Sequence, residues 1–200
     1  MRVETTSRNI YTFSELSDKA KNRAIEKHSE FESEIFDSEY TIDDIKNTAA
    51  MFGLRIDKFY YSGFCSQGGG ASFSGYYEYK PGAYAKTICD RPNDSDLKSI
   101  VKTLQEIQRK HFYKISCSFV QRGHYYHENT IYCQELLIDN NDANFDTDAI
   151  ESDILESIRS FAQWAYRLLE SEYEYRTSRD ACQESILANE YEFDASGNMA

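Results

Sequence analysis

Two short stretches hold most of the residue types that chemistry could use. The first is "SGFCSQGGGASFSGYYEY", residues 62–79, where Gly68, Gly69 and Gly70 stand beside Ser62, Ser66, Gln67 and Ser72. Successive backbone N–H groups in a glycine-rich turn can form a concave anion site, and serine and glutamine add further donors. The stretch lacks the lysine of GxxxxGK[ST] and does not read as the strand-to-helix turn of GxGxxG. The competing reading is a hairpin loop in which glycines accept positive φ at no steric cost.

The second is "QRGHYYHE", Gln121 to Glu128, with two of the chain's four histidines beside Arg122 and Glu128. On a strand, His124, Tyr126 and Glu128 would share one face and Tyr125 and His127 the other. The HxxH spacing then converges on no metal unless the strand bulges. His124 with Glu128 has the composition of a general acid–base pair, the carboxylate orienting the imidazole. Arg122 has the fork that clamps a carboxylate or phosphate. The competing reading is a solvated turn on an antiparallel edge. The candidate binding set is therefore Ser66, Gln67, Gly68, Gly69, Arg122, His124, Tyr126, His127 and Glu128. No catalytic residue, metal ligand or cofactor is assigned. His28 and His111 read as cations near helix C-termini, and Trp164 as a core residue. No serine triad or cysteine nucleophile pattern can be assembled.

Charge narrows the partners. From Met1 to Gln134 the chain carries 18 acidic and 18 basic residues, so the 16 acidic and 4 basic residues from Glu135 to Ala200 account for the whole net charge of −12. No Lys or Arg lies between His124 and Ile158. Phosphates would be repelled, which argues against nucleic acid as a direct partner. A basic protein surface fits better, and the alternative is an acidic helix kept for solubility. Five scattered cysteines without CxxC spacing read as reduced thiols. The start of the chain does not read as a secretory signal, and no apolar run approaches the roughly 20 residues that span a bilayer. A cytoplasmic protein with no membrane partner is expected.

The elements that must position these stretches follow from hydrophobic period. Helical spacing runs through "YTFSELSDKAKNRAIEKHSEF", with Ser14 or Ser17 as cap and Leu16, Ala20, Ala24 and Phe31 as its apolar stripe. It returns in "TIDDIKNTAAMFG", where Thr41 with Asp44 resembles a capping box and Gly53 ends the helix. Alternation in "LRIDKFYYSGF" sets Ile56 and Tyr60 opposite Asp57, Phe59 and Tyr61. In "ASFSGYYEYK" it puts Phe73, Tyr77 and Tyr79 on one face, and the two strands form a hairpin. A strong helix follows in "RPNDSDLKSIVKTLQEIQRKHF", capped by Asn93, Asp94 or Ser95. A second hairpin turns near Arg122 and Gly123, and "DNNDANFDT" is a polar connection. A long helix buries Ile150 through Leu169, a shorter one spans Ser178 to Ala188, and "NEYEF" is extended.

This order predicts an α+β fold: a four-stranded, largely antiparallel sheet of two β-hairpins covered by helices, with a long C-terminal helix. With 2 prolines and no long linker, residues 1–200 read as a single domain whose acidic helical third spans about 135–200.

At "YTFSELSDKAKNRAIE", "YSGFCSQGGGASFSG", "RKHFYKISCSFVQRGHYYHE" and "SEYEYRTS…ANEYEF" the chain resembles a family of small proteins of tailed phages and prophages, often labelled antitoxins of a toxin–antitoxin stability system. The resemblance covers nearly the whole chain. It departs from the family pattern at Cys65, where tryptophan is typical, and at Gly69, where aspartate is typical. If that aspartate were a catalytic acid or metal ligand, this chain would lack the activity. The resemblance implies a phage accessory protein in a host bacterial cell. The leading expectation is an inhibitor, an anti-CRISPR or other anti-defence protein, that binds a host defence protein with a basic surface. The alternative is a protein that sequesters or cleaves a nucleotide-like small molecule using both stretches. The third is an antitoxin neutralising a toxin by contact.

Overall fold

The computed structural model describes residues 1–3, 8–64, 68–139 and 146–200. In chain order the elements are β1 (Tyr11–Thr12), α1 (Asp18–Glu34), α2 (Glu39–Met51), β2 (Leu54–Tyr61), β3 (Ala71–Glu78), α3 (Ala83–Asp90) and α4 (Ser95–Lys110). Then come β4 (Ile115–Gln121), β5 (Ile131–Ile138), α5 (Thr147–Thr177), α6 (Arg179–Ala188) and β6 (Glu192–Phe193). They group into two compact units, one of residues 38–170 and one of residues 1–37 with 171–200.

Residues 38–170 hold the four-stranded antiparallel sheet, ordered β2-β3-β4-β5, so the fold is α+β as the periods predict. Its strands bury Leu54, Phe73, Tyr77, Ile115, Phe119 and Ile131 in one cluster with α2, α4 and α5, while Arg55, Glu78, Tyr132 and Leu137 stay exposed. That alternation covers one sheet face and leaves the other wet.

Helix α5 seats on the core through Ile150, Ile154, Ile158, Phe161, Ala165 and Leu169, all buried and at helical spacing. Phe161, fully buried, meets Phe52 edge-on at 5.2 Å, Phe73 edge-on at 6.1 Å and Trp164 stacked at 5.1 Å. Asp94 caps α4 by accepting from Leu97 N–H at 2.9 Å through one carboxylate oxygen, and its other accepts from Trp164 Nε1–H at 2.7 Å. One side chain thus both starts a helix and satisfies the buried indole.

Several local expectations change. Asp57 is an extra residue in β2, because Ile56 pairs with Gly75 and Lys58 with Ser74. The bulge slips the alternation. Phe59 and Tyr61 join Ile56 against the core, and Tyr60 opposes them. Helix α2 begins before Thr41, and Asp44 makes no capping box; it pairs with Arg91 instead. Helix α3 has no counterpart in the periodic pattern. The acidic third opens as strand β5 and becomes helical only at Thr147. Of "DNNDANFDT", residues 140–145 lie outside the described residues.

In the other unit Ser17 caps α1, Phe31 is exposed rather than part of the stripe, and β1 pairs with β6. His28 is buried within α1, with Nε2 3.1 Å from Ser185 Oγ, and does not stand in the last turn of the helix. His111 does stand at the C-terminal end of α4.

Phe161→Ala is expected to destabilise the fold by about 3–5 kcal/mol in urea denaturation, because a buried ring junction is emptied. Phe31→Ala, at an exposed site, should stay within roughly 0.5 kcal/mol of the parent. Equal losses for the two would refute this account of the core.

Candidate functional site

Both motif stretches include segments that join neighbouring strands within residues 38–170, and the structure brings those segments together. The glycine loop leaves β2 at Ser62 and re-enters β3 after Gly70. Ser62 N–H donates to Gly70 O at 3.0 Å, and Gly70 N–H donates to Ser62 Oγ at 2.9 Å. The Ser62 hydroxyl has two acceptors at 3.3 Å, Gly70 O and Tyr126 O, the second belonging to the other loop. Phe64 lies between the rings of Tyr61 and Tyr166, each 5.7 Å away.

The glycines serve close approach more than anion cradling. A Cβ on Gly70 would stand 3.1 Å from His127 Cα and 3.3 Å from Tyr126 O. One on Gly69 would stand 2.5 Å from the Tyr166 phenol oxygen and 3.2 Å from Gly63 O. Gly68, at φ +87°, opens onto free space and supplies the positive φ that a tight turn requires. Ser66 and Gln67 lie outside the described residues.

The stretch from Arg122 to Thr130 is not strand, so the expected alternation of faces does not apply. Arg122 N–H donates to Thr130 O at 2.9 Å, and Thr130 closes back on His127 O through both its N–H, at 2.8 Å, and its hydroxyl, at 2.7 Å. Gln121 Nε2 donates to Gly123 O and Tyr125 O. The partner of Glu128 is therefore His127, not His124. His127 Nδ1 lies 3.0 Å from Glu128 Oε2, and Gln163 Nε2 of α5 donates to Glu128 Oε1 at 2.8 Å. Asn129 N–H also points at His127 Nδ1, from 3.3 Å. The Glu128 carboxylate and the Asn129 backbone donor thus converge on the same ring nitrogen.

The remaining candidates scatter around this pair. Tyr126 stacks on Tyr60 at 5.1 Å with 14° between rings. Arg122 is exposed, with its guanidinium 5.6 Å from the Tyr132 ring centre, and His124 is exposed in the turn. Among the described residues, no group of three or more His, Cys, Asp or Glu is placed to hold a metal ion.

Sequence reasoning missed the helix that completes the site. Ser152, Glu156, Arg159, Gln163 and Tyr166 recur at spacings of four and three along α5, a polar stripe next to the apolar one. Gln163 reaches Glu128, Tyr166 donates to Gly63 O at 3.5 Å, and Arg159 Nη2 donates to Ile131 O at 3.0 Å. A groove of about 370 Å³ runs along this stripe and includes Glu128, Glu156, Arg159 and Gln163. A second, of about 330 Å³, lies between α4 and α5 and includes Glu106, Lys110, Asp153 and Glu156.

A family model described as a domain of unknown function, DUF8835, matches residues 38–179. The chain belongs to that family. No curated protein and no solved structure matches it. The DUF8835 match contains all of residues 38–170 and α5. Both loops, the His127–Glu128–Gln163 chain and both grooves thus fall inside it, whereas α1, α6 and the β1–β6 ladder fall almost wholly outside.

Gly70→Ala is expected to cost about 1–3 kcal/mol, because the backbone of His127 must give way, and to shift the His127 and Tyr126 NMR resonances. Gly63→Ala, where an added Cβ meets nothing within 4 Å, should leave both nearly unchanged. Unmoved His127 resonances in Gly70→Ala would separate the two loops.

Proposed function

We propose that this DUF8835 protein is a phage-encoded inhibitor of a host defence system that works by binding, and that its docking surface is the acidic flank of α5. The observation that carries this reading is where the carboxylates stand. Glu106, Asp153 and Glu156 line the α4–α5 groove, and Glu128 with Glu156 lines the groove beside it. Lys110 and Arg159 are the cations lining these grooves, two against the four carboxylates Glu106, Asp153, Glu156 and Glu128, and Arg159 also donates from Nη2 to the Ile131 carbonyl. Concave surface of one sign focuses potential and speeds association with a partner of the other sign. The resemblance to the phage family supplies the setting, and the defence target is an enzyme or complex with a basic, nucleic-acid-binding surface.

One observation favours a second reading, a nucleotide-type ligand held where the loops meet. The Ser62 hydroxyl bonds Tyr126 O and Gly70 packs on His127, so the two loops share one location as that reading requires. Against it, the Gly70 N–H and both Glu128 oxygens already have protein partners. A contact antitoxin would use the same acidic grooves, and the identity of the captured protein separates it from a defence inhibitor.

The test is affinity capture by the tagged chain from a bacterium carrying several defence systems, followed by binding measurements on the captured protein. A stoichiometric partner is expected whose affinity falls about tenfold or more between low and physiological salt. Asp153→Asn/Glu156→Gln should weaken it severalfold, chiefly by slowing association. A partner whose affinity ignores salt and the double substitution refutes the acidic docking surface. A captured toxin in place of a defence protein refutes the anti-defence assignment.

A further inference from the structure

The β4–β5 hairpin holds a pair of thiols that neither the loops nor the grooves use. Cys117 of β4 pairs in register with Leu136, and Cys133 of β5 with Phe119, across a register shift at Ser118 and Phe119. That shift brings the two side chains together on the covered side of the sheet, with Sγ 2.9 Å from Sγ. Both are free thiols; Cys117 is fully buried, and Cys133 is half-buried on the edge strand of the sheet. We propose that Cys117 and Cys133 are a redox-active dithiol that closes into a reversible disulfide across β4 and β5.

The geometry needs little adjustment. Closing a disulfide takes the sulfurs to about 2.05 Å, a movement of less than one ångström that the bulge can take up. Reactivity is divided between the two. Burial pushes both thiols up from their ordinary value, and the Cys117 S–H beside Cys133 partly offsets this for Cys133. Cys133, half-buried on the edge strand, is the one an external reagent can reach. Attack belongs to Cys133 and resolution to Cys117.

With a low-molecular-weight disulfide as oxidant, such as oxidised glutathione, the steps balance. The Cys133 thiolate attacks one glutathione sulfur, the glutathione S–S bond breaks, and the glutathione thiolate leaves and takes up a proton. Cys117 then loses its proton and attacks Cys133 Sγ, expelling the second glutathione. One protein dithiol is oxidised, one glutathione disulfide is reduced to two thiols, and no further reagent is required. The bond formed ties the two strands below the Arg122–Thr130 loop, on the covered side of the sheet.

The sequence makes the test direct, because trypsin cuts after Lys114, Arg122 and Arg159 and so places Cys117 and Cys133 on different peptides. The folded full-length chain is incubated with oxidised glutathione, alkylated, digested and analysed by mass spectrometry. The expected result is a disulfide-linked pair of peptides 115–122 and 123–159 that dithiothreitol abolishes. Exposed Cys89 should carry glutathione instead. In Cys133→Ser, with its fold checked by circular dichroism, the linked pair disappears and buried Cys117 takes up no glutathione. The proposal is overturned if Cys117 and Cys133 are both recovered alkylated under conditions that modify Cys89. It is also overturned if Cys117 is glutathionylated in folded Cys133→Ser as readily as Cys89, since it would then react without its neighbour.

Discussion

The ring of Phe161 is the contact on which residues 38–170 depend. It meets the C-terminal end of α2 through Phe52, the centre of the sheet through Phe73 and its own helix through Trp164. Three elements that could otherwise slide past one another are fixed by one buried side chain, because a close-packed interior has few alternative ways to surround a ring of that size. Seating Phe161 sets the rotation of α5. With that rotation set, the polar stripe of Glu156, Arg159, Gln163 and Tyr166 has to run along the flank where Glu128 and the glycine loop arrive. The site is in this sense a by-product of the core: Gln163 can reach Glu128 only because Phe161, two positions earlier, is pointed inward.

Much of this was legible from period alone, and the misses have definite causes. The apolar stripes of α4 and α5 are long and regular, so Leu97, Ile100, Val101, Leu104 and Ile107 could be placed in the core without a structure. Helix α3 has eight residues and two buried ones, Ala83 and Thr87, too short and too polar for a period to register. The face of Tyr60 was right and that of Ile56 wrong for one reason: a bulge at Asp57 leaves no local signature in a polar, exposed residue. In the second stretch, the His124–Glu128 partnership expected from strand alternation is not the one formed. Glu128 pairs with His127 because Arg122 to Thr130 folds as a closed turn, and strand alternation cannot describe a turn.

The three glycines illustrate how one sequence signal can have two physical origins. Glycine permits positive φ, and it permits another chain segment to come close. Gly68 uses the first property, and Gly69 and Gly70 use the second. In this chain Gly69 and Tyr166 form a matched pair, the missing side chain making room for the phenol. Any side chain at position 69 would bring its Cβ to 2.5 Å from the Tyr166 phenol oxygen, so that ring would have to move. A residue change in the loop is therefore coupled to a change on α5, although ninety-seven residues separate the two positions.

The same separation of causes applies to the acidic charge of α5. Carboxylates at a helix N-terminus complement the backbone dipole, but that benefit fades beyond the first turn. Asp148 stands in that turn and is explained by helix stability. Asp153 and Glu156 lie further along, where the dipole gives them nothing, and they face two grooves instead of a convex surface. Charge kept only for solubility works wherever it is exposed and has no reason to line a concavity, where like charges repel most strongly. Lys110 and Arg159 line the same two grooves, and Lys102 stands 4.0 Å from Glu106, so the charge of Glu106, Asp153, Glu156 and Glu128 is offset only in part where it stands.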